Sequence, residues 1–470
     1  MEYNNKVMVN FSYEEFGYPL LFMLSLTLLG LECPLGYFFI ITMLFYSFKN
    51  NRYDFLIQCT MLFGIYGYYG EEVFPFKLTD LALCISIISL IFYRKNEMIW
   101  KILGLTVLYF LFLFFIAKLS DESFSIQIRR LRQYMHIIYF IFPLVVFSQQ
   151  KFEFEKLFKH LFEYVFIISI FIILDSLFFS QHILLPRTTW GDLTYTTIRI
   201  TPFSHFLRIY PAPIYISALL LYPIIYFYKL PKYFWFIIAI GLICTKTISV
   251  IGGFIITYFI FSGKLKQKIK FLIVILIGLV IGNTIDNQLG GALRINQLFK
   301  QFSIFNQGSE VLENLEDLAD FGSGRGAQII PKLELLTSLD KQMFGFGFLH
   351  DKLTTNEEFI INNDYYVDQS KAEEVAALVE VSQIQTILDM GFVGIIVQHI
   401  FYLFIYLVIR KCKYSLYYGV TVICISVLGI GGFMGLNTYY GLLLLGVVLG
   451  GILLINKEEN YEIINNNSGV

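Results

Sequence analysis

Long apolar runs alternate with short polar segments along nearly the whole chain. Most runs are roughly 15 to 20 residues long, which suits helices that cross a hydrocarbon core of about 30 Å. The pattern predicts fourteen apolar spans, at 16–31, 35–48, 54–69, 76–93, 99–117, 133–148, 161–179, 210–229, 233–245, 247–262, 270–283, 385–409, 415–431 and 437–455. Several are short, so one or two are expected to be re-entrant or merged. We therefore predict an all-α polytopic integral membrane protein with 12 to 14 transmembrane helices.

Lysine and arginine concentrate in alternate loops, for example 151–159 and 264–270. Such loops are typical of the cytoplasmic side of a membrane. The alternation predicts that both termini are inside, and that residues 118–132, 180–209 and 284–384 lie on the outer face. The last of these is the one long non-membrane segment, and loops of that length are usually functional. Function is therefore sought on the outer face.

The same pattern predicts four parts in the chain. Residues 1–283 form an N-terminal bundle of about ten or eleven helices, and residues 284–384 form the large outer loop. Residues 385–456 form three C-terminal helices. The polar residues 457–470 are expected to be a disordered cytoplasmic tail.

Composition favours lipid as the solvent of these helices. Of the 470 residues 56% are hydrophobic and 15% charged, whereas soluble domains carry about a quarter charged residues. All six cysteines lie in or beside apolar runs, so neither a disulfide framework nor metal-ligand spacing is indicated. No nucleotide-binding glycine loop occurs. We expect no cofactor, no metal and no nucleic-acid partner.

The long outer loop is acidic, so its cations stand out. Residues 286–380 contain sixteen Asp and Glu but only seven Lys and Arg. Arg325 lies in Phe321-Gly322-Ser323-Gly324-Arg325-Gly326, where glycines allow a close backbone approach and the guanidinium can fork onto phosphate oxygens. Two interpretations are equally open on these residues alone: a phosphate clamp, or an arginine that fixes the loop by pairing with a carboxylate such as Asp317.

Further cations lie on predicted outer segments, against the positive-inside tendency. They are Arg129, Arg130, Arg132, Arg187, Arg199, Arg208 and Lys246. Lipid head groups are the simpler explanation for any single one, whereas a bound polyanion better explains the set. Lys246 either snorkels to the interface or lines a cavity. Trp190 either stacks on a sugar ring or anchors the chain at the interface, and Asp175 is expected to be a helix-packing partner.

Four short motifs follow one another in the second half of the chain. They are Arg294, Ser323-Gly324-Arg325, Gly345-Phe346-Gly347, and Glu380-Val381-Ser382 leading to Gly391-Phe392-Val393-Gly394. In this order they resemble the O-antigen polymerase and O-antigen ligase superfamily of bacterial envelope enzymes. That family has a dozen or so helices and a large periplasmic loop before the last few, which matches the predicted layout.

Two positions depart from the pattern of that family. Its ligases have a His-Asn pair where Glu380 and Val381 align, so Glu380 favours a polymerase over a ligase. Lys246 stands where the family commonly has a Ser-Arg pair, which keeps the charge but loses the bidentate fork of arginine.

The resemblance implies a repeat-unit polymerase for a surface polysaccharide, O-antigen or capsule, in the bacterial inner membrane. Such an enzyme transfers a saccharide from undecaprenyl diphosphate to a lipid-linked acceptor at the periplasmic face, with inversion expected. The implied catalytic residues are Glu380, Arg325 and Arg294; the implied diphosphate-binding residues are Lys246, Arg208, Arg199 and Arg187; Trp190 is the implied sugar-binding residue.

The implied partners are undecaprenyl-diphosphate-linked oligosaccharides and membrane lipids, and the sequence leaves open whether a chain-length regulator binds. Two alternatives also stay open. One is an O-antigen ligase that transfers polysaccharide to lipid A-core, and the other is a polysaccharide flippase or transporter.

Overall fold

The structure is a computed structural model, and helices dominate the part of the chain that it describes. The described residues are 7–8, 16–31, 33–50, 84, 97–119, 124–141, 144–145, 154–178, 183–185, 199–201, 204–205, 228–229, 232–244, 255, 259, 265–288, 333, 336–337, 339–348, 382–412, 414–431, 436 and 439–467.

Ten α-helices have their bounds within these residues. They are α1 (Gly17–Gly30), α2 (Leu35–Lys49), α3 (Glu97–Lys118), α4 (Phe124–Met135), α5 (Phe154–Phe178), α6 (Lys232–Cys244), α7 (Leu265–Gln288), α8 (Ser382–Ile409), α9 (Ser415–Gly431) and α10 (Tyr439–Asn467). A 3-10 helix, His136–Phe140, follows α4. The predicted all-α class is confirmed for the described residues, apart from four very short strands.

These strands form two minimal pairs. They are β1 (Val7–Met8), β2 (Arg199–Thr201), β3 (Ser204–His205) and β4 (Tyr228–Lys229). Strand β1 pairs in parallel with β4, and β2 pairs antiparallel with β3 so that Arg199 lies opposite His205. Pairs of this length add little stability on their own.

Among the helices that the structure describes, α3 and α8 are long and apolar enough to cross a membrane. Shorter apolar helical stretches are found at Gly17–Gly30, Leu35–Ser47, Tyr233–Leu242 and Gly441–Leu454. The predicted spans 54–69, 76–93, 210–229 and 247–262 lie outside the described residues apart from isolated positions. The count of 12 to 14 transmembrane helices therefore stays a prediction.

The chain divides into two compact units, each assembled from separate stretches of sequence. The first unit comprises Met1–Arg94, Ile138–Arg294 and Tyr439–Val470, and the second comprises Lys95–Ile137 and Ile295–Thr438. The first helices of the chain and the last thus belong to one unit. The four parts predicted from the sequence are divided according to the side of the membrane on which they lie. The two units do not test that division, so those boundaries stay a prediction.

In the first unit, paired helices approach each other closely at glycine residues. A Cβ added to Gly36 of α2 would lie 2.6 Å from the carbonyl oxygen of Ser25 in α1. A Cβ added to Gly241 of α6 would lie 2.9 Å from the Cβ of Ser169 in α5. Small residues at such crossings let helix backbones approach closely, so these glycines set the distance between the paired helices.

In the second unit, α3 and α9 pack on α8, and α4 packs on α3. The ring of Tyr109 in α3 stacks on Phe401 in α8 with a centroid separation of 5.0 Å. The side-chain amide of Gln127 in α4 donates to the carbonyl oxygen of Ala117 at the end of α3, at 2.9 Å. The amide of Gln383 in α8 donates to the carbonyl oxygen of Ser426 in α9, at 2.6 Å.

Helix α4 differs from the sequence prediction, which placed 118–132 in an outer loop and a span at 133–148. The helix begins at Phe124 instead, and a 3-10 helix follows it. Gln127, Leu131 and Tyr134 are buried and recur at helical spacing, so they give the polar stretch one face that packs against the protein. The outer loop was predicted from the alternation of basic loops, which does not detect the helical periodicity of these buried residues.

The polar tail also differs, because α10 continues to Asn467 where a disordered segment was predicted after residue 457. Lys457, Glu458 and Glu459 are good helix formers and no glycine or proline intervenes before Ser468, so the helix propagates from its apolar part into the polar part. Helix α8 differs in a third way: the span predicted there is continuous, whereas the helix is broken at Gly391.

Candidate functional site

The break in α8 lies at Gly391, whose backbone has φ 67° and ψ −169°. This conformation is essentially restricted to glycine. A Cβ at this position would also overlap the backbone carbonyl of Met343. Gly391 therefore ends one helical segment, Ser382 to Met390, and allows a second chain segment to approach its backbone.

That second segment is the clasp loop, residues 341–348. Gly345 and Gly347 have φ values of 69° and 71°, and a Cβ on Gly345 would lie 2.5 Å from the backbone of Asp389 and Met390. Phe348 also has positive φ, which is rare for a bulky residue and indicates that its surroundings hold it there. The two glycines let the clasp loop lie directly against the break.

Four backbone hydrogen bonds join the clasp loop to both sides of the break. The N–H groups of Phe346 and Gly347 donate to the carbonyl oxygens of Leu388 and Asp389, at 2.8 and 3.0 Å. The N–H groups of Phe392 and Val393 donate to the carbonyl oxygens of Gln342 and Met343, at 2.9 and 3.1 Å. The loop thus caps the C-terminal end of one segment and the N-terminal end of the next, where helix termini lack internal partners.

An apolar cluster holds the clasp loop in place beside these hydrogen bonds. Its buried members are Leu336, Phe346, Ile387 and Leu388, and Leu333, Ile384 and Ile395 pack against them. Phe346 comes from the loop itself, so its burial ties the loop to α8. The phenylalanine between the two glycines is therefore an anchor, while the glycines provide the backbone geometry.

A buried carboxylate lies at the same place. Asp389 is fully buried, and the Tyr134 hydroxyl of α4 donates to its Oδ2 at 2.6 Å. The Tyr134 ring packs on Phe348 of the clasp loop, with centroids 5.4 Å apart. Because the Asp389 carbonyl also binds the clasp loop, this one residue contacts both α4 and the loop. Burying a carboxylate is costly, so such a hydrogen bond is needed to offset part of the desolvation.

The first segment of α8 carries further buried polar groups on the face of Asp389. Ser382, Thr386 and Asp389 recur at helical spacing and are all buried. The Thr386 hydroxyl donates to the Ser382 carbonyl oxygen at 3.0 Å. The neighbouring Ile387 and Leu388 pack instead into the apolar cluster. This segment therefore combines a polar buried face with an apolar one.

Most residues predicted as functional fall outside the described part of the chain. Those wholly outside are Glu380, Arg325, Arg294, Lys246, Arg208, Arg187 and Trp190. Arg199 is placed by its backbone in β2, and nothing is described of its side chain. Their predicted roles accordingly stay predictions. Of the four ordered motifs, the two whose backbones are described, Gly345-Phe346-Gly347 and the one beginning at Gly391, lie in direct contact.

Sequence reasoning missed Asp389 and Tyr134. A signal for Asp389 was present, because a carboxylate inside an apolar run two residues before a glycine is an unusual placement. Tyr134 carried no comparable signal, since one tyrosine in an aromatic-rich chain is unremarkable. Only the packing of α4 against α8 identifies it as the partner of Asp389.

A second buried carboxylate, Asp175 in α5, belongs to the first unit. Its Oδ1 accepts hydrogen bonds from the N–H groups of Ile183 and Leu184, and its Oδ2 accepts one from Leu185, at 3.1, 2.9 and 2.6 Å. The Leu184 carbonyl in turn accepts the hydroxyl of Thr27 at 2.6 Å. Asp175 thus holds the chain after α5 against α1 and has the geometry of a structural residue.

No group of three or more His, Cys, Asp or Glu side chains in the described ranges is arranged to hold a metal ion. Comparison of the chain with family models, with curated proteins and with solved structures yields no match. The resemblance carried by the four motifs is therefore an expectation, and the functional argument depends on the residues of this chain.

Proposed function

We propose that this chain is a polytopic membrane enzyme of bacterial envelope synthesis. In this proposal it lengthens a surface polysaccharide by transferring a saccharide from undecaprenyl diphosphate to a second lipid-linked saccharide at the periplasmic face of the inner membrane. The proposal joins the sequence resemblance to the geometry around Gly391.

The membrane part of the proposal is supported by the surfaces of α3 and α8. Both helices have the length and hydropathy of a membrane span. Large apolar side chains on them are exposed, among them Leu108, Leu111, Ile396 and Leu403. Soluble monomers rarely expose contiguous apolar surface of this kind, whereas acyl chains would cover it.

The observation that carries the enzymatic part is the contact between the clasp loop and the break in α8. Residues 341–348 belong to the segment predicted as the large outer loop, and α8 begins where that segment ends. Four backbone hydrogen bonds and a buried phenylalanine tie the two together. Glu380, the proposed base, lies in the sequence between this anchored loop and the first residue of α8.

Anchoring of this kind suits catalysis by positioned charges. The donor is already activated, because its leaving group is a diphosphate. Arg294 and Arg325 are proposed to stabilise the negative charge that develops on that group, and Lys246 with Arg187, Arg199 and Arg208 to bind it. Glu380 is proposed to accept the proton of the acceptor hydroxyl as the bond at the anomeric carbon breaks, with inversion as the outcome.

A transporter is the second candidate, because broken helices also line substrate sites in transporters. In that class the exposed helix ends contact the substrate or a coupling ion. In this chain the backbone groups of residues 388, 389, 392 and 393 are bonded to the clasp loop. The helix ends are thus used for structural capping, which favours the enzyme.

The direct test uses purified full-length protein in detergent with lipid-linked repeat units. Lengthened saccharides on a gel support a polymerase, whereas a single transfer to added lipid A-core supports a ligase. A carrier would leave the saccharides unchanged. Any result without elongation contradicts the proposal.

Arginine variants test the diphosphate assignment. Arg325→Ala and Arg294→Ala, made one at a time, should remove long chains while protein levels stay the same. Arg410→Ala is a matched control, because Arg410 is an exposed arginine after α8 in a loop predicted as cytoplasmic. Full-length polysaccharide from both loop variants would refute the assignment.

Glu380 and the sidedness of the loop need separate tests. Glu380→Gln should be inactive and Glu380→Asp partly active, and equal activity of Glu380→Gln and wild type would exclude Glu380 as the base. Reporter fusions near residue 325 should report the periplasmic side. A cytosolic location there would overturn the whole proposal.

A further inference from the structure

The second segment of α8 carries a histidine halfway along its length. This segment, residues 391–409, is about 28 Å long at about 1.5 Å per residue, which is close to the thickness of a hydrocarbon core. His399 lies about 12 Å from the start of the segment and about 15 Å from its end on the same scale. In a membrane that α8 crosses, His399 is therefore near the middle of the bilayer.

The imidazole ring of His399 is exposed and bonds back to its own helix. Its Nδ1 lies 2.8 Å from the carbonyl oxygen of Ile395. Because a carbonyl oxygen can only accept, this contact places the hydrogen of a neutral ring on Nδ1 and leaves Nε2 as an acceptor. Thr42 of α2 is also exposed, but its hydroxyl donates to the Phe38 carbonyl at 2.8 Å and the side chain has no second polar atom. His399 thus differs from Thr42 in having a second ring nitrogen that needs a donor.

The residue before it shows how α8 treats a polar group on its inner side. Gln398 is buried, and its side chain hydrogen-bonds the hydroxyl of Tyr109 in α3. That polar group is therefore paired within the second unit. Successive residues of a helix are rotated by about 100°, so His399 lies on a different side of α8, which is exposed.

Apolar side chains continue the exposed side of α8 on either side of His399. Phe392, Ile396 and Leu403 are each at least half exposed. Together with His399 they recur at spacings of four, three and four residues, which is the heptad spacing of helices that pack side by side. These four residues, 392, 396, 399 and 403, form the His399 stripe.

A second copy of the chain covers this stripe better than lipid does. Acyl chains suit the three apolar side chains, but they supply no donor to Nε2 at the centre of the bilayer. A second copy that is inserted in the same direction places its own His399 at the same depth, and a two-fold axis along the membrane normal brings the two stripes together. The two Nε2 acceptors can then share one water molecule, which donates a hydrogen to each. The stripe is therefore self-complementary.

From this arrangement we infer that the His399 stripe is the interface of a homodimer in the membrane, in which the two His399 rings are bridged by water. The heptad spacing fits two helices that cross at about 20°. The dimer goes beyond the proposed function and rests on it only in taking α8 as a membrane span. The contacts that hold α8 to α3 lie on its other side, so they are kept in each copy.

Disulfide cross-linking in isolated membranes tests the geometry of this interface. The test variants are Ile396→Cys, His399→Cys and Leu403→Cys, made one at a time. On oxidation each should give about fivefold or more dimer over the wild-type chain, whose six cysteines set the background. Phe404→Cys is the matched control, because Phe404 is also exposed but lies about 100° further round the helix than Leu403. It should stay at the background.

The role of the imidazole is tested on purified full-length protein in phospholipid vesicles, with energy transfer between labelled copies as the measure of association. His399→Leu removes both ring nitrogens and should weaken association about fivefold to tenfold, as expected for hydrogen bonds between helices in a membrane. His399→Gln keeps an acceptor near the position of Nε2 and should associate within about twofold of wild type. Thr42→Leu is the control for loss of an exposed polar side chain and should change association less than about twofold. All these positions are exposed, so the melting temperatures should stay similar.

The results distinguish the possible occupants of the stripe. A dimer formed by the purified chain alone, with cross-links at 396, 399 and 403, supports the inference. A cross-linked band of another mass in membranes, with monomers after purification, would identify a different protein as the partner and overturn the homodimer. Monomers without any cross-linked band would show that lipid covers the stripe, which overturns it as well.

Two further outcomes separate the dimer from the proposed function. Unchanged association of His399→Leu, or an equal loss in Thr42→Leu, would overturn the role of the imidazole. Carbonate extraction of the membranes tests the span itself. Release of the chain by carbonate would contradict the membrane part of the proposed function, whereas a chain that stays in the membrane as a monomer would contradict the dimer alone.

Discussion

The two units each contain a fully buried aspartate, and the two are held in different ways. Asp175 accepts three backbone N–H groups from residues 183–185, eight to ten positions further along the chain. The carboxylate of Asp389 accepts the phenolic hydroxyl of Tyr134, 255 positions away in sequence, at a break in its own helix. The first carboxylate organises a local turn, whereas the second joins distant segments.

The difference indicates that Asp175 has a structural role. Backbone donors cannot be changed by side-chain substitution and hold both oxygens of Asp175 in fixed directions. The Asp389 contact depends on the packing of α4, and it lies beside the clasp loop, in which the non-glycine residue Phe348 has a φ of 70°. Strained backbone next to a buried carboxyl group is a common feature of functional sites. The site around Gly391 has such a residue in Phe348, whereas no such residue is described in the Asp175 turn.

The largest effect is expected at the break that distinguishes the Asp389 region. Gly391→Ala would force a Cβ into the Met343 backbone and require an unfavourable conformation for alanine, so it should lower the free energy of unfolding by roughly 3–5 kcal/mol. Hydrogen–deuterium exchange should increase in residues 341–348 but not in residues 183–185. Gly104→Ala in α3 is the control, because its Cβ meets nothing within 4 Å. It should stabilise the protein by about 0.5–1 kcal/mol. Unchanged exchange in the clasp loop of Gly391→Ala would contradict the capping role.

The next largest effect is the loss of unfolding free energy when each buried aspartate is replaced by asparagine. Asp175→Asn replaces one acceptor oxygen by an NH₂ group facing a backbone N–H donor, so it should cost about 2–4 kcal/mol. Asp389→Asn should cost only about 1 kcal/mol, since the amide oxygen can still accept the Tyr134 hydroxyl. Melting curves in detergent measure both. Equal costs would show that the two sites do not differ as the hydrogen bonds suggest.

The smallest effect concerns the support of the Asp175 turn. Thr27→Val removes the hydroxyl that donates to the Leu184 carbonyl at 2.6 Å and should lower the free energy of unfolding by about 1 kcal/mol. In a double-mutant cycle, Thr27→Val and Asp175→Asn should be non-additive, because both act on the same three-residue turn. Thr27→Val with Asp389→Asn should be additive. Additivity in the first pair would refute a shared structural role.

The sequence by itself determined where most described helices lie, because hydrophobic periodicity and length are local properties. The predicted spans 16–31, 35–48 and 415–431 match α1, α2 and α9 within one residue at each end. The helical start of α4 was missed, because the alternation of basic loops predicted an outer loop there. The buried face of the helix became evident only once Gln127 and Tyr134 had packing partners.

The candidate site was predicted only as separate motifs. The glycines at 345, 347 and 391 stood out in the sequence. The local sequence around each one does not indicate, however, that the loop glycines lie against the glycine of the helix. Their contact and the pairing of Tyr134 with Asp389 depend on hydrogen bonds between segments far apart in sequence, whose partners only the folded chain selects. Residue type and hydrophobic period determined the positions of the helices. Tertiary packing determined which donor each buried carboxyl group accepts, because that pairing depends on distance in space.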